Sequence, residues 1–198
     1  LARAPGVQVL REYGRKYGVD PDRFECEPDF CILCGLCVRH CAEVKGKHAI
    51  DLFAGTGALG LEALSRGAAR VTLIERHFPT ARLIERTIAS LGVADRASVY
   101  AGDAFLWPRQ RLDWTEMAQQ PWLVLCSPPW AFFADRTADM VGLITAVHQR
   151  APAESRFVVE ADGPFDFGLL AGLGEWDIRP YPPAVIGFHR AGMGRQAS

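Results

Sequence analysis

A glycine-rich turn preceded by an acidic residue is the part of this sequence best suited to hold a small charged ligand. The run DLFAGTGALG occupies residues 51–60, and its Gly55, Gly57 and Gly60 satisfy the pattern G-x-G-x-x-G. Glycines at this spacing let the backbone turn sharply after a strand and approach a ligand at the start of a helix. The pattern alone does not distinguish among sites for NAD, FAD and S-adenosylmethionine.

Acidic residues after successive predicted strands narrow this choice. Asp51 lies four residues before Gly55, where a carboxylate attracts the ammonium group of S-adenosylmethionine and repels a pyrophosphate. Glu75 ends the second predicted strand and is expected to accept hydrogen bonds from both ribose hydroxyls. Asp103 follows the third strand and is expected to receive the adenine amino group. Taken singly, Asp51 or Asp103 is equally explained as a solvated loop carboxylate. Together they predict an S-adenosylmethionine site formed by Asp51, Phe53, Gly55, Gly57, Glu75 and Asp103.

The run LCSPPW, residues 125–130, is suited to chemistry on the amino group of a base. Two prolines cannot extend a central strand, and they hold the Pro128 carbonyl outward. Hydrogen bonds from an exocyclic amine to Ser127 and Pro128 would localise the nitrogen lone pair, while Trp130 stacks on the flipped-out base. Core packing is the alternative for Trp130 taken alone. The predicted catalytic residues are Ser127, Pro128, Pro129 and Trp130.

Four cysteines near the amino terminus have the spacing of iron–sulfur ligands. They form the pattern C-x2-C-x2-C-x3-C, which is typical of thiolates around a 4Fe–4S cluster. In a reducing compartment such a run predicts a metal site and not a disulfide framework. A zinc site and a plain cysteine-rich loop are the alternatives. The predicted ligands are Cys31, Cys34, Cys37 and Cys41.

Apolar runs alternate with amphipathic segments in most of the chain, which predicts an α/β fold. Segments with the character of strands are 48–53, 71–75, 97–101, 122–126 and 156–161, and the helical ones are 79–91 and 135–150. We therefore expect a parallel sheet with helices on both faces, completed by a hairpin at 175–190. All five tryptophans follow residue 48 and five of six cysteines precede it. This break predicts a short, irregular, Cys-rich segment at 1–47 and a folded domain at 48–198.

Composition excludes several classes of protein. With 198 residues, 49% hydrophobic residues and a net charge of −1, the chain is an ordinary globular protein and not a disordered or strongly basic one. The longest uncharged stretch, residues 117–134, contains two glutamines and three prolines, so it does not predict a membrane span. We expect a cytoplasmic monomer.

The runs DLFAGTGALGLEALSRGA (51–68) and VTLIER (71–76) closely resemble the bacterial 16S ribosomal RNA guanine-N2 methyltransferase family. The resemblance covers residues 48–198. It implies a class I methyltransferase domain with a Rossmann-like sheet, S-adenosylmethionine as cofactor, and ribosomal RNA or an assembling small ribosomal subunit as partner. It also implies that Asp51, Gly55 and Gly57 surround the methionine part of the cofactor, Glu75 its ribose and Asp103 its adenine.

Two departures from that family bear on activity. The family usually has Asp where this chain has Ser127, so a charge-assisted hydrogen bond to the amine becomes a neutral one. The family also carries an RNA-contacting hairpin and helix before the first strand, where this chain has its Cys-rich segment. We therefore expect methyl transfer to be impaired. A DNA amino-methyltransferase of the cytosine-N4 type is the alternative within the class, because its catalytic loop is similar to SPPW.

The string FECEPDFCILCGLCVRHCAEVKG, residues 24–46, resembles the ferredoxin-type segment of hydrogenase diaphorase subunits and of a related NADH dehydrogenase subunit. The resemblance covers about residues 20–47 and implies a 4Fe–4S cluster on the four cysteines. The second cysteine run of those modules is absent from this sequence. The alternative function, from a different class of protein, is electron transfer by an iron–sulfur fragment of this kind.

Overall fold

The computed structural model describes residues 44–110 and 114–192. The predicted cluster ligands Cys31, Cys34, Cys37 and Cys41 lie outside these residues.

Seven strands in the described residues form one mixed sheet with the order β3-β2-β1-β4-β5-β7-β6. The first five strands are parallel, and β7 runs antiparallel to both β5 and β6. This arrangement confirms the predicted parallel sheet and its terminal hairpin. The strands are β1 (His48–Asp51), β2 (Arg70–Glu75), β3 (Ala97–Ala101), β4 (Trp122–Cys126), β5 (Arg156–Asp162), β6 (Trp176–Tyr181) and β7 (Ala184–Arg190).

The helices connect the parallel strands. Pro79 lies in the first turn of α2 and Gly92 ends it with φ 68°, as expected of these residues at helix ends. The predicted helix at 135–150 corresponds to the single helix α5, and Arg136, with φ −135° and ψ 35°, separates it from the short helix α4 that precedes it. The helices are α1 (Ala58–Ser65), α2 (Phe78–Leu91), α3 (Trp114–Met117), α4 (Ala131–Asp135) and α5 (Thr137–His148), with 3-10 turns at Trp107–Arg109 and Phe167–Leu173.

Both faces of the sheet are covered, as the sequence predicts. Successive strand residues point to opposite faces, so Ala49 packs in one hydrophobic cluster and Ile50 in the other. The Ala49 cluster includes Ile84 and Ile88 of α2, and the Ile50 cluster includes Met140 of α5. These two cores hold the strands rigidly and fix the loops at their carboxyl ends.

Residues just before the first strand pack on the sheet. Val44 is 1% exposed and packs in the same cluster as Ala49. The Gly46 amide donates to the Gly67 carbonyl at 2.9 Å, and the Lys47 carbonyl accepts from Ala69 at 2.8 Å. Residues 44–47, which sequence composition assigns to the Cys-rich segment, therefore contact the sheet domain. The boundary at residue 47 stays a prediction.

None of the helices in the described ranges combines the length and the apolar character needed to cross a membrane.

Candidate active site

A cleft of about 460 Å³ opens at the carboxyl ends of β1, β2, β3 and β4, the edge where ligands bind in open α/β sheets. Most of the predicted cofactor-binding and catalytic residues line it, although they come from four separate segments of the chain. The lining residues that the sequence predicts are Phe53, Gly55, Glu75, Asp103, Ser127, Pro128 and Pro129. Three other predicted residues are not among those that line the cleft: Asp51, Gly57 and Trp130.

The glycine turn, residues 51–60, presents backbone to this cleft. Gly55 has φ +54°, and no heavy atom lies within 4 Å of the position that a Cβ would take. Gly57 has φ +80°, and a Cβ there would lie 3.1 Å from Ile84 and 3.2 Å from Leu73. Gly55 therefore leaves room for a ligand, whereas Gly57 lets the turn approach the core.

Glu75 is fixed in place by backbone amides. Its Oε2 accepts a hydrogen bond from the Gly55 amide at 2.9 Å, and its Oε1 accepts one from the His77 amide at 2.7 Å. Each carboxylate oxygen keeps a further lone pair. The carboxylate is thus held against the glycine turn and still able to accept hydrogen bonds from a ligand in the cleft.

Asp103 is held in a similar way at the end of β3. Its Oδ1 accepts a hydrogen bond from the Phe105 amide at 2.9 Å, which closes a turn of the type that aspartate favours. The side chain is partly buried and lines the cleft. It is therefore a hydrogen-bond acceptor of fixed orientation on the β3 side of the cleft.

Asp51 lies beneath the glycine turn and is 1% exposed. Its Oδ2 accepts a hydrogen bond from the Gly60 amide at 3.0 Å, in the first turn of α1. Its Oδ1 is buried and has no hydrogen-bond partner in the described part of the chain. Burial raises the pKa of Asp51 to about 6, and the backbone amides of Gly60 and Phe53 oppose that rise only in part. Asp51 is therefore a buried acceptor with one oxygen unsatisfied.

The proline turn, residues 127–130, follows β4. Ser127 lines the cleft, and its hydroxyl donates a hydrogen bond to Oε2 of Glu160 at 2.8 Å. Pro128 is buried and Pro129 is exposed. Trp130 precedes α4 and is 39% exposed, so the structure does not place it in the core.

Two phenylalanines that the sequence analysis did not select, Phe105 and Phe132, line the cleft together with the predicted Phe53. Phe53, Phe105 and Phe132 form a triangle with ring centroids 5.8 to 6.0 Å apart. The Arg136 guanidinium lies over the Phe105 ring, 3.9 Å from its centroid, a favourable cation–π distance. The signal for Phe105 and Phe132 was their position shortly after Asp103 and Trp130 in strand-end loops. Glu160 had a weaker signal, as an acidic residue near the end of β5.

No group of three or more histidine, cysteine, aspartate or glutamate side chains within 44–110 and 114–192 is arranged to hold a metal ion. Cys126 is a free, fully buried thiol. The predicted 4Fe–4S cluster depends on residues that the structure does not describe, and the comparisons below give it no support.

This topology, with helices on both faces and an antiparallel β7 between β5 and β6, is that of a class I methyltransferase domain. A family model described as "Conserved hypothetical protein 95" matches residues 37–158, and the chain belongs to this family.

Curated relatives match a short stretch. YlbH of Bacillus subtilis (strain 168) is 39% identical over 59 residues, which are 30% of this chain and 32% of YlbH. "Ribosomal RNA small subunit methyltransferase D" of Escherichia coli (strain K12) is 46% identical over 55 residues, 28% of this chain and 24% of that protein. The chain thus spans about a third or less of the length of these relatives.

Solved structures share the fold over most of their length. The yhhF protein of Escherichia coli superposes with a TM-score of 0.63 at 20% identity, covering 88% of this chain and 90% of its own. An RNA methyltransferase from Salinibacter ruber, in complex with S-adenosyl-L-homocysteine, gives a TM-score of 0.55 at 16% identity, covering 83% and 95%. These similarities establish the fold.

Proposed function

We propose that this chain is an RNA methyltransferase that transfers a methyl group from S-adenosylmethionine to the exocyclic N2 amine of a guanine in small-subunit ribosomal RNA. The observation that supports the proposal most is the cleft, which is lined by Gly55, Glu75 and Asp103 on one side and by Ser127 and Pro128 on the other. The Escherichia coli relative is named as a methyltransferase of small-subunit ribosomal RNA. The Salinibacter ruber structure contains the demethylated form of the cofactor.

The residues present fit this cofactor. The open space at Gly55 leaves room for its methionine part, and the unsatisfied Oδ1 of Asp51 offers a buried acceptor beneath the glycine turn. Glu75 is proposed to accept from the ribose hydroxyls, and Asp103 from the adenine amino group. When bound, S-adenosylmethionine supplies an electrophilic methyl group.

The residues of the proline turn are proposed to prepare the amine. The Ser127 hydroxyl oxygen and the Pro128 carbonyl accept its two N–H hydrogens, which localises the nitrogen lone pair for attack on the methyl group. The Phe53, Phe105 and Phe132 triangle makes this part of the cleft apolar. Holding the reacting groups in line supplies most of the rate.

The RNA is proposed to approach over α2. Arg76 lines the cleft, and Arg82 and Arg86 are exposed on α2. Guanidinium groups on one exposed face are suited to contact phosphates, and such contacts weaken as salt is raised.

Calorimetry of the full chain with S-adenosylmethionine and with NAD tests the cofactor. We expect binding of S-adenosylmethionine only, weakened in Glu75→Gln and Asp103→Asn and unchanged in Glu85→Gln, whose side chain is exposed on α2. Binding of NAD without a response to S-adenosylmethionine would contradict the proposal.

Transfer of a radiolabelled methyl group tests the substrate. Small-subunit RNA and assembling subunits from cells that lack the gene are incubated with the chain, and the labelled nucleotide is mapped. We expect label on N2 of a guanine. Label on cytosine N4 of DNA, with none on RNA, would favour the alternative within the class.

A further inference from the structure

The ends of β4 and β5 bring a carboxylate to the proline turn. These parallel strands pair Leu123 with Arg156 and Cys126 with Val159. The next residue on each strand is Ser127 and Glu160, and the two side chains meet in a hydrogen bond of 2.8 Å. Both residues are partly buried. Ser127 lines the cleft, whereas Glu160 is not among its lining residues, so Glu160 reaches the cleft through Ser127.

We propose that Glu160 is a positioning residue for the methyl transfer, acting through the Ser127 hydroxyl; the inference rests on the function proposed above. An ionised carboxylate can only accept hydrogen bonds, and a hydroxyl has one hydrogen to donate. The Ser127 hydrogen is therefore directed to Glu160, and the lone pairs of Oγ are left for the target amine. A hydroxyl without this partner would rotate, and in some orientations it would donate toward the nitrogen lone pair that must attack.

The charge of Glu160 has a second effect. The nitrogen–carbon bond forms as the sulfur–carbon bond breaks, so the amine nitrogen becomes more positive until it releases one hydrogen as a proton to water. A carboxylate one hydrogen bond behind Ser127 stabilises this charge more than a neutral group would. In the family that the sequence resembles, an aspartate in the loop itself is usual at position 127. In this chain the carboxylate comes from the neighbouring strand, with Ser127 between it and the cleft.

The test compares Glu160→Gln, Ser127→Ala and the double variant in single-turnover methyl transfer to small-subunit RNA. Glutamine has the same shape as glutamate and can still accept from Ser127, so the variant removes mainly the charge. We expect the rate of methyl transfer to fall about tenfold, with the affinity for S-adenosylmethionine unchanged. In the Ser127→Ala background the same change should alter the rate by less than about twofold, because the connection to the amine is already lost.

Asp162→Asn is the matched control. Asp162 lies two residues further along β5, and successive strand residues alternate, so it shares the face of Glu160. The control removes the same charge near the site without touching Ser127, and it should change the rate by less than about twofold. If Glu160→Gln unfolds at a lower temperature than the unmodified chain, Glu160→Asp and Glu160→Asn replace it in the test. The aspartate and asparagine side chains have the same length and differ in charge, and we expect the aspartate variant to transfer methyl faster.

Three outcomes would overturn the inference. If Glu160→Gln transfers methyl at the unmodified rate, Glu160 has no positioning role and the proposed function stands. If Glu160→Gln lowers the rate of methyl transfer by the same factor with Ser127 present and in the Ser127→Ala variant, its effect is structural and does not pass through Ser127. If the unmodified chain binds S-adenosylmethionine and methylates no nucleic acid, the proposed function fails and the inference fails with it.

Discussion

The glycine turn and the proline turn follow the neighbouring strands β1 and β4, and each is held by a carboxylate that reaches it by a different route. Asp51 belongs to the strand that enters the glycine turn, and it is almost fully buried beneath that turn. Glu160 comes from β5, next to β4, and it is partly buried behind Ser127. The first carboxylate supports a backbone, and the second orients a side chain. Each arrangement predicts a different kind of response to mutation.

The buried carboxylate lowers stability in proportion to its pKa shift. A rise from 3.8 to about 6 corresponds to roughly 3 kcal/mol at a pH above both values. Because the folded pKa is above the unfolded one, the folded state binds the extra proton, and the free energy of unfolding falls as pH rises from about 4 to about 6. The glycine turn is therefore held at a cost in stability.

The largest expected effect is at the proline turn. Ser127→Asp would bring a second carboxylate next to Glu160, and two like charges about 4 Å apart repel by about 4 kcal/mol in a partly buried setting. We expect the rate of methyl transfer to fall about a hundredfold. The sequence alone predicts the opposite, since a carboxylate accepts more strongly than a hydroxyl.

Ser127→Asp combined with Glu160→Gln is the matched comparison, measured by the same single-turnover assay. It keeps one carboxylate at the turn, and we expect its rate to be within about threefold of the unmodified chain or above it. If Ser127→Asp alone is as active as the unmodified chain, Glu160 does not oppose a negative charge at position 127.

The second effect separates binding from stability at the glycine turn. Asp51→Asn keeps an acceptor for the Gly60 amide and removes the buried charge. We expect affinity for S-adenosylmethionine to fall by more than about tenfold, while the free energy of unfolding at pH 8 rises by up to roughly 3 kcal/mol. Calorimetry and urea unfolding measure the two quantities, with Glu85→Gln as the exposed control. Unchanged affinity would remove Asp51 from the proposed cofactor site.

The third effect is the pH dependence of the affinity for S-adenosylmethionine, which we attribute to Asp51. Below its pKa of about 6 Asp51 is neutral, and it would no longer attract the ammonium group that we propose it binds. Affinity should therefore be about tenfold lower at pH 5 than at pH 8. Calorimetry in matched buffers measures this, and Asp51→Asn should show a flat profile. The same slope in that variant would assign the titration to another group.

The smallest effect is at Trp130. Stacking on a base contributes roughly 1–3 kcal/mol. For Trp130→Ala we expect a loss at the lower end of this range, about fivefold in RNA affinity, because the Trp130 side chain is 39% exposed. Stability should change by less than about 0.5 kcal/mol. Filter binding and thermal unfolding measure the two effects, and Leu169→Ala, at another exposed apolar residue, is the control. A loss of stability without a loss of affinity would make Trp130 a packing residue.

The two turns also show what the sequence can predict. Gly55, Glu75 and Asp103 could be predicted as site residues from the sequence, because glycines and acids at strand ends form a pattern within short stretches of chain. Asp51 fits that pattern, but its burial and its bond to Gly60 depend on how α1 packs on the sheet. Glu160 acts across the β4–β5 pairing, 33 residues from Ser127, and no local pattern indicates that contact.

The strand at one edge of the sheet has a consequence for the behaviour of the protein in concentrated solution. β6 pairs only with β7 among the described strands, and an open edge of this kind can recruit a strand from another molecule. Pro180 has no N–H to offer such a strand, and Asp177 and Arg179 place an ion pair on it. Prolines and charges on an edge oppose strand addition and the growth of β-aggregates. We therefore expect this edge of the sheet to resist aggregation at high protein concentration.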